Sequence, residues 1–71
     1  SVDCTLTKHA IQEAKLVIPF ARLENQVAKN AMMQIDRNGI WGKYYTKSIK
    51  ISDGQSAEIH FYMESKTGNV Y

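Results

Sequence analysis

Residues 43–64, KYYTKSIKISDGQSAEIHFYME, decide the fold class, because apolar and polar residues alternate along both halves of this stretch. Alternation with a period of two is typical of a half-buried β-strand. The turn sequence SDGQ at 52–55 separates the two halves, and its Gly54 is able to adopt a positive φ. The stretch therefore predicts an antiparallel hairpin formed by strands at 43–51 and 56–64.

The alternation also assigns the side chains of the hairpin to two faces. The apolar face of the second strand consists of Ala57, Ile59, Phe61 and Met63, and its polar face consists of Glu58, His60, Tyr62 and Glu64. In the first strand Tyr45, Ile49 and Ile51 share one face, and Tyr44, Thr46, Ser48 and Lys50 share the other. If the apolar faces coincide, Ile51 lies opposite either Gln55 or Ala57. Both registers place His60 beside Thr46 or Ser48.

The N-terminal half has the longer period of helices. An apolar stripe predicts a first helix over 8–18 that ends before Pro19, because proline disfavours helical geometry in the residue before it. A second helix is predicted from Phe20 to Arg37, and its apolar face consists of Phe20, Leu23, Val27, Ala31 and Ile35. A third strand is predicted to begin at Val70. The expected fold is α+β, with two N-terminal helices packed on one face of a small, twisted antiparallel β-meander.

Composition limits the class of protein. The chain has 71 residues, a net charge of +2 and a single cysteine. One cysteine excludes an internal disulfide scaffold, and no apolar run reaches the length of about 18 residues that predicts a membrane-spanning helix. We expect one domain over residues 1–71, excised from the C-terminal part of a larger protein. The mild positive charge is compatible with a polyanionic ligand.

The candidate catalytic residues are those able to move protons and stabilise negative charge. Metal-independent cleavage of RNA needs a base for the 2′-hydroxyl, an acid for the leaving 5′-oxygen and a cation for the charged phosphorane. His9 and His60 suit the two proton transfers, because the unperturbed pKa of histidine is about 6.5. Lys8 suits the cation. The hydroxyl groups expected near His60 belong to Thr46, Ser48 and Tyr62.

The residues Lys8, His9 and Ala10, followed by helices and an antiparallel meander, resemble bacterial polymorphic toxins of the barnase/EndoU/colicin/RelE group. Toxins of the colicin D type and several contact-dependent growth inhibition toxins carry a lysine-histidine-alanine signature at a comparable place and cut tRNA. The further pattern of the colicin D type, a serine and a tryptophan close together on a late strand, is absent after Tyr45.

The resemblance implies a metal-independent ribonuclease toxin without a cofactor. It implies tRNA as substrate, a cognate immunity protein as partner and a host translation factor such as elongation factor Tu as a further one. It also implies secretion or cell-surface delivery within a larger protein and action in the cytoplasm of a target bacterium. The alternative is a noncatalytic module that binds RNA or protein through Tyr44, Tyr62 and lysines. A structural domain of a larger protein is a third hypothesis.

Overall fold

The computed structural model describes residues 8–50, 54 and 56–71, and for 47–50 it describes the backbone only. Its elements are helix α1 (Lys8–Glu13), strand β1 (Lys15–Pro19), a 3₁₀ turn (Phe20–Arg22), helix α2 (Gln26–Ile35), strand β2 (Trp41–Lys50) and strand β3 (Ser56–Glu64). The three strands form one antiparallel sheet in the order β1-β2-β3. The α+β class is therefore confirmed. None of the described helices is long and apolar enough to span a membrane.

The second half of the predicted first helix is a strand. Residues Lys15–Pro19 pair with β2 as the edge strand of the sheet, so β1 lies between the two helices in the chain. The run Leu16, Val17 and Ile18 fits a strand as well as a helical stripe, because branched side chains favour the pleated surface of a sheet. Pro19 is tolerated there because an edge strand leaves one row of N–H groups unpaired. The third strand predicted at Val70 is only an isolated bridge to Met63.

The predicted second helix is interrupted near its start. A 3₁₀ turn over Phe20–Arg22 comes first, and α2 begins only after Asn25, whose side-chain oxygen accepts a hydrogen bond from the Ala28 N–H at 3.1 Å. The interruption resets the helical phase. Ala28 and Met32 are therefore buried, whereas Val27, predicted to face the core, is 74% exposed.

The β2–β3 hairpin is confirmed, and Gly54 has the expected positive φ of 73°. Near the turn Ile49 pairs with Ala57, which is the register of the first predicted alternative, although Ile51 and Gln55 themselves lie outside the described residues. A bulge between Thr46 and Ile49 then shifts the register by one residue. Beyond it Tyr45 lies opposite His60. The predicted placement of His60 beside Thr46 or Ser48 is therefore wrong.

Both faces of the sheet are covered, each by a different helix. On the first face, here called the α2 face, Trp41 forms a buried core with Leu23, Ala28 and Met32. The second face, here called the α1 face, carries buried Phe61 and Met63, and α1 lies against it near Tyr44. The burial of Phe61 and Met63 agrees with their predicted place on the apolar face of the second strand. The prediction that both helices pack on one face is wrong. The edge strand β1 lies between the two helices in the chain, and the helices on either side of it pack on opposite faces of the sheet.

Candidate functional site

A row of three side chains crosses the sheet on the α2 face. Lys15 of β1 pairs with Tyr45 of β2, and Tyr45 pairs with His60 of β3. Directly opposed residues in an antiparallel sheet project to the same face, so these side chains are neighbours. We call this set, together with Glu58 and Lys43, the Tyr45 row.

His60 is held in place by two contacts. Its Nε2 lies 2.7 Å from Glu58 Oε1, and its ring stacks on the Tyr45 ring with a centroid separation of 6.0 Å. A carboxylate only accepts hydrogen bonds, so Nε2 is the donor and Nδ1 of the neutral ring is left as an acceptor. The side chains of His60 and Glu58 are 45% and 52% exposed. The pair is therefore accessible to a large substrate.

Two lysines are neighbours of Tyr45 in the sheet. Lys15 is exposed at the edge of the sheet, and Lys43 precedes Tyr45 by two residues, which places it on the same face. Neither lysine forms an ion pair with another described residue. The row thus offers a histidine–carboxylate pair, an aromatic ring and two cations on one surface, of which Lys43 and Tyr45 are half-buried.

Of the remaining predicted site residues of the sheet, Tyr62 shares the α2 face with His60 and pairs with Lys43, and Thr46 lies on the opposite face. Thr46 is buried on the α1 face, and its Oγ1 has no hydrogen-bond partner among the described residues. Tyr62 is on the α2 face, but it packs against the core and lies 6.1 Å from the Tyr71 ring. The side chain of Ser48 lies outside the described residues.

Lys8 and His9 lie at the start of α1, and both are exposed. Lys8 lines a cleft with Tyr44 and Met63, which are on the α1 face. His60 projects from the α2 face. The structure therefore does not bring Lys8 and His9 together with His60, since the sheet lies between them.

Glu64 is a structural carboxylate. Strand alternation places it on the polar face of β3, yet its exposed fraction is 0%. Oε2 accepts a hydrogen bond from the Ile40 N–H at 2.6 Å, and Oε1 accepts from the N–H groups of Lys66 and Thr67 and from the Thr67 hydroxyl. Removal from solvent alone raises the pKa of Glu64, but these donors together lower it from 4.5 to about 2.

Sequence reasoning missed Lys15, Lys43, Tyr45 and Glu58 as partners of His60. Glu58 was detectable, because two residues that share a strand face at i and i+2 are neighbours. Lys15 was not detectable, since its segment was assigned to a helix. The described residues contain no group of three or more histidine, cysteine, aspartate or glutamate side chains placed to hold a metal ion.

A comparison of this chain with protein-family models, with curated proteins and with solved structures finds no match. The toxin resemblance therefore rests on Lys8, His9 and Ala10 and on the order of elements.

Proposed function

We propose that this chain is a metal-independent ribonuclease whose active site is the Tyr45 row. The observation that supports the proposal is the 2.7 Å contact between His60 and Glu58 beside the stacked ring of Tyr45. A carboxylate that holds one imidazole nitrogen orients the ring and stabilises the imidazolium that forms when the other nitrogen takes up a proton.

In the proposed reaction His60 Nδ1 takes the proton from a 2′-hydroxyl of the RNA. The 2′-oxygen attacks the adjacent phosphorus, and Lys15 and Lys43 stabilise the additional negative charge of the phosphorane. The 5′-oxygen leaves and takes a proton from solvent, to which the row is open. The products are a 2′,3′-cyclic phosphate and a 5′-hydroxyl end.

The resemblance to polymorphic toxins supplies the biological part of the proposal. The substrate would be tRNA, the domain would be delivered within a larger protein into the cytoplasm of a target bacterium, and a cognate immunity protein would cover the Tyr45 row. Elongation factor Tu would be the host factor.

Noncatalytic RNA binding on the same face is the second candidate function. The stacked rings of Tyr45 and His60 favour it, because aromatic side chains stack on unpaired bases. Noncatalytic binding also needs no second proton-transfer group, which suits the Tyr45 row because the row contains one histidine. The two functions differ in whether RNA is cut.

The test is incubation of the domain with total RNA and with purified tRNA in EDTA. We expect discrete products that end in a 2′,3′-cyclic phosphate. Loss of a general base typically lowers the rate by about 10²–10⁴-fold, so His60→Ala should lower cleavage by that amount while circular dichroism shows an intact fold. Glu58→Gln should lower cleavage by a smaller factor.

The control for the charge change in Glu58→Gln is Glu24→Gln, because Glu24 is exposed and lies outside the row. A second comparison is His9→Ala, which removes the histidine of the toxin signature. Cleavage that depends on His9 and not on His60 would place the reaction on the α1 face and refute the proposed site. Binding of RNA without any cleavage would favour the noncatalytic function.

A further inference from the structure

An open cleft of about 590 Å³ lies between α1, the α1 face and the turn after β3. We call it the α1 cleft. Its lining consists of Lys8, Ile11, Gln12 and Ala14 from the α1 segment, Tyr44 and Met63 from the sheet, and Ser65, Lys66, Thr67 and Gly68 from the turn. Lys8, Ile11 and Gln12 share one helical stripe, since they are spaced by three and four residues. The cleft is on the opposite side of the sheet from the Tyr45 row.

The cleft combines an apolar part with two cations. Ile11, Ala14 and Met63 supply the apolar surface, and Tyr44 adds an aromatic ring. Lys8 and Lys66 supply the charge, and neither forms an ion pair with another described residue. No carboxylate is among the lining residues. The cleft therefore suits an anion that carries an apolar or aromatic group.

The carboxylate nearest in sequence to Lys66, that of Glu64, forms no ion pair with the Lys66 ammonium group. Both oxygens of Glu64 accept hydrogen bonds from backbone N–H groups, and its side chain is fully buried. These bonds also fix the turn over 65–68 that carries Lys66. The backbone position of Lys66 beside the cleft is therefore set by the fold.

We propose that the α1 cleft binds a single nucleotide. Its phosphate lies between Lys8 and Lys66, and its base packs on Tyr44 and Met63. The cleft volume is within the range of about 300–1,000 Å³ that is typical of small-molecule sites. The nucleotide is either a free nucleoside monophosphate or the phosphorylated end of an RNA strand. This inference does not depend on ribonuclease activity.

The test is a titration of the ¹⁵N-labelled chain, followed by amide NMR, with cytidine 5′-monophosphate, cytidine and inorganic phosphate. We expect saturable shifts at Gln12, Tyr44 and Lys66, with the monophosphate binding more tightly than either of its parts. Loss of a charge-assisted hydrogen bond typically weakens binding by about 10-fold or more, so Lys66→Gln should have that effect. Arg37→Gln is the matched control, because Arg37 is exposed and lies outside the cleft.

Equal binding of inorganic phosphate and the monophosphate would overturn the proposal and indicate an adventitious anion only. Shifts centred on Tyr45 and His60, or equal affinities of Lys66→Gln and Arg37→Gln, would also overturn it. A short oligonucleotide with a 5′-phosphate distinguishes the two sources, since tighter binding than the 5′-monophosphate indicates a strand end. His60→Ala should leave the shifts unchanged, so failure of the ribonuclease proposal and failure of this one are separate results.

Discussion

At the scale of single residues, Glu64 shows how a charged side chain becomes part of the core. Strand alternation places Glu64 on the polar face of β3, and that face is exposed to solvent in a sheet that is covered on one side only. Here α2 covers that face, and the carboxylate is buried beside Trp41, its partner in the sheet. A buried charge is tolerated when hydrogen bonds replace its water, and Glu64 accepts four of them. It joins the loop before β2 to the turn after β3.

The pKa of Glu64 predicts acid sensitivity. The pKa is lowered in the folded chain from 4.5 to about 2, so the stabilising contribution of the carboxylate is fully present above pH 4.5. It is lost progressively as the pH falls from about 4.5 toward 2. We expect the urea midpoint to fall over that range.

The matched variant for this prediction is Glu64→Gln. Its amide has one acceptor oxygen for donors that come from two directions, so at pH 7 it should melt roughly 10 °C below the parent chain. It should also lack the part of the acid dependence that Glu64 causes. A parent chain and a variant with the same midpoints from pH 5 to pH 2 would contradict the assignment.

At the scale of elements, α2 is defined by its cap more than by its apolar stripe. Asn25 is the N-cap, and the helix ends at Ile35 with the Asp36 N–H bonded to the Met32 carbonyl. The 3₁₀ turn before Asn25 means that Phe20 and Leu23 do not continue the helical phase of α2. The cap therefore decides that Ala28 and Met32, and not Val27, face the sheet.

Removal of this cap should destabilise the domain. Asn25→Ala leaves the Ala28 N–H without its side-chain acceptor, and such substitutions typically cost about 1 kcal/mol of unfolding free energy. Asn25→Asp keeps an acceptor at the same position and should be close to the parent chain. Urea denaturation of both variants checks this, and an equal loss in both would show that the contact is not a cap.

At the scale of the whole molecule, the sheet separates two surfaces. The Tyr45 row lies on one face and the α1 cleft on the other, and each helix covers part of one face. The core that joins α2 to the sheet is small, and Trp41 is its largest member. The Trp41 indole N–H also donates to the Asp36 carbonyl at 3.0 Å, which ties the end of α2 to the start of β2.

Trp41 should therefore decide whether the chain folds at all. Truncation of a buried tryptophan to alanine typically costs about 3–5 kcal/mol, which is comparable with the whole stability of so small a domain. We expect Trp41→Ala to be largely unfolded by circular dichroism at 25 °C. Trp41→Phe keeps much of the ring but loses the bond to Asp36, and it should fold with a lower melting temperature. A cooperative, parent-like melt of Trp41→Ala would contradict this account of the core.

The sequence by itself determined the hairpin, the positive φ of Gly54, a helix that includes residues 26–35 and the burial of Phe61 and Met63. These features depend on periodicity and turn chemistry within short segments, which neighbouring residues specify. The resemblance of Lys8, His9 and Ala10 to the signature of polymorphic toxins was also found in the sequence, and the function that it implies stays a prediction.

Only the tertiary structure decided that Lys15–Pro19 is a strand, that β2 carries a bulge and that the helices lie on opposite faces. An apolar run such as Leu16–Ile18 satisfies a helical stripe and a strand equally, and pairing with the distant strand β2 resolves the choice. A bulge exchanges the faces of every residue beyond it, so it set Tyr45 instead of Thr46 opposite His60. The Tyr45 row could not be predicted because its register depends on contacts between segments that are far apart in the chain.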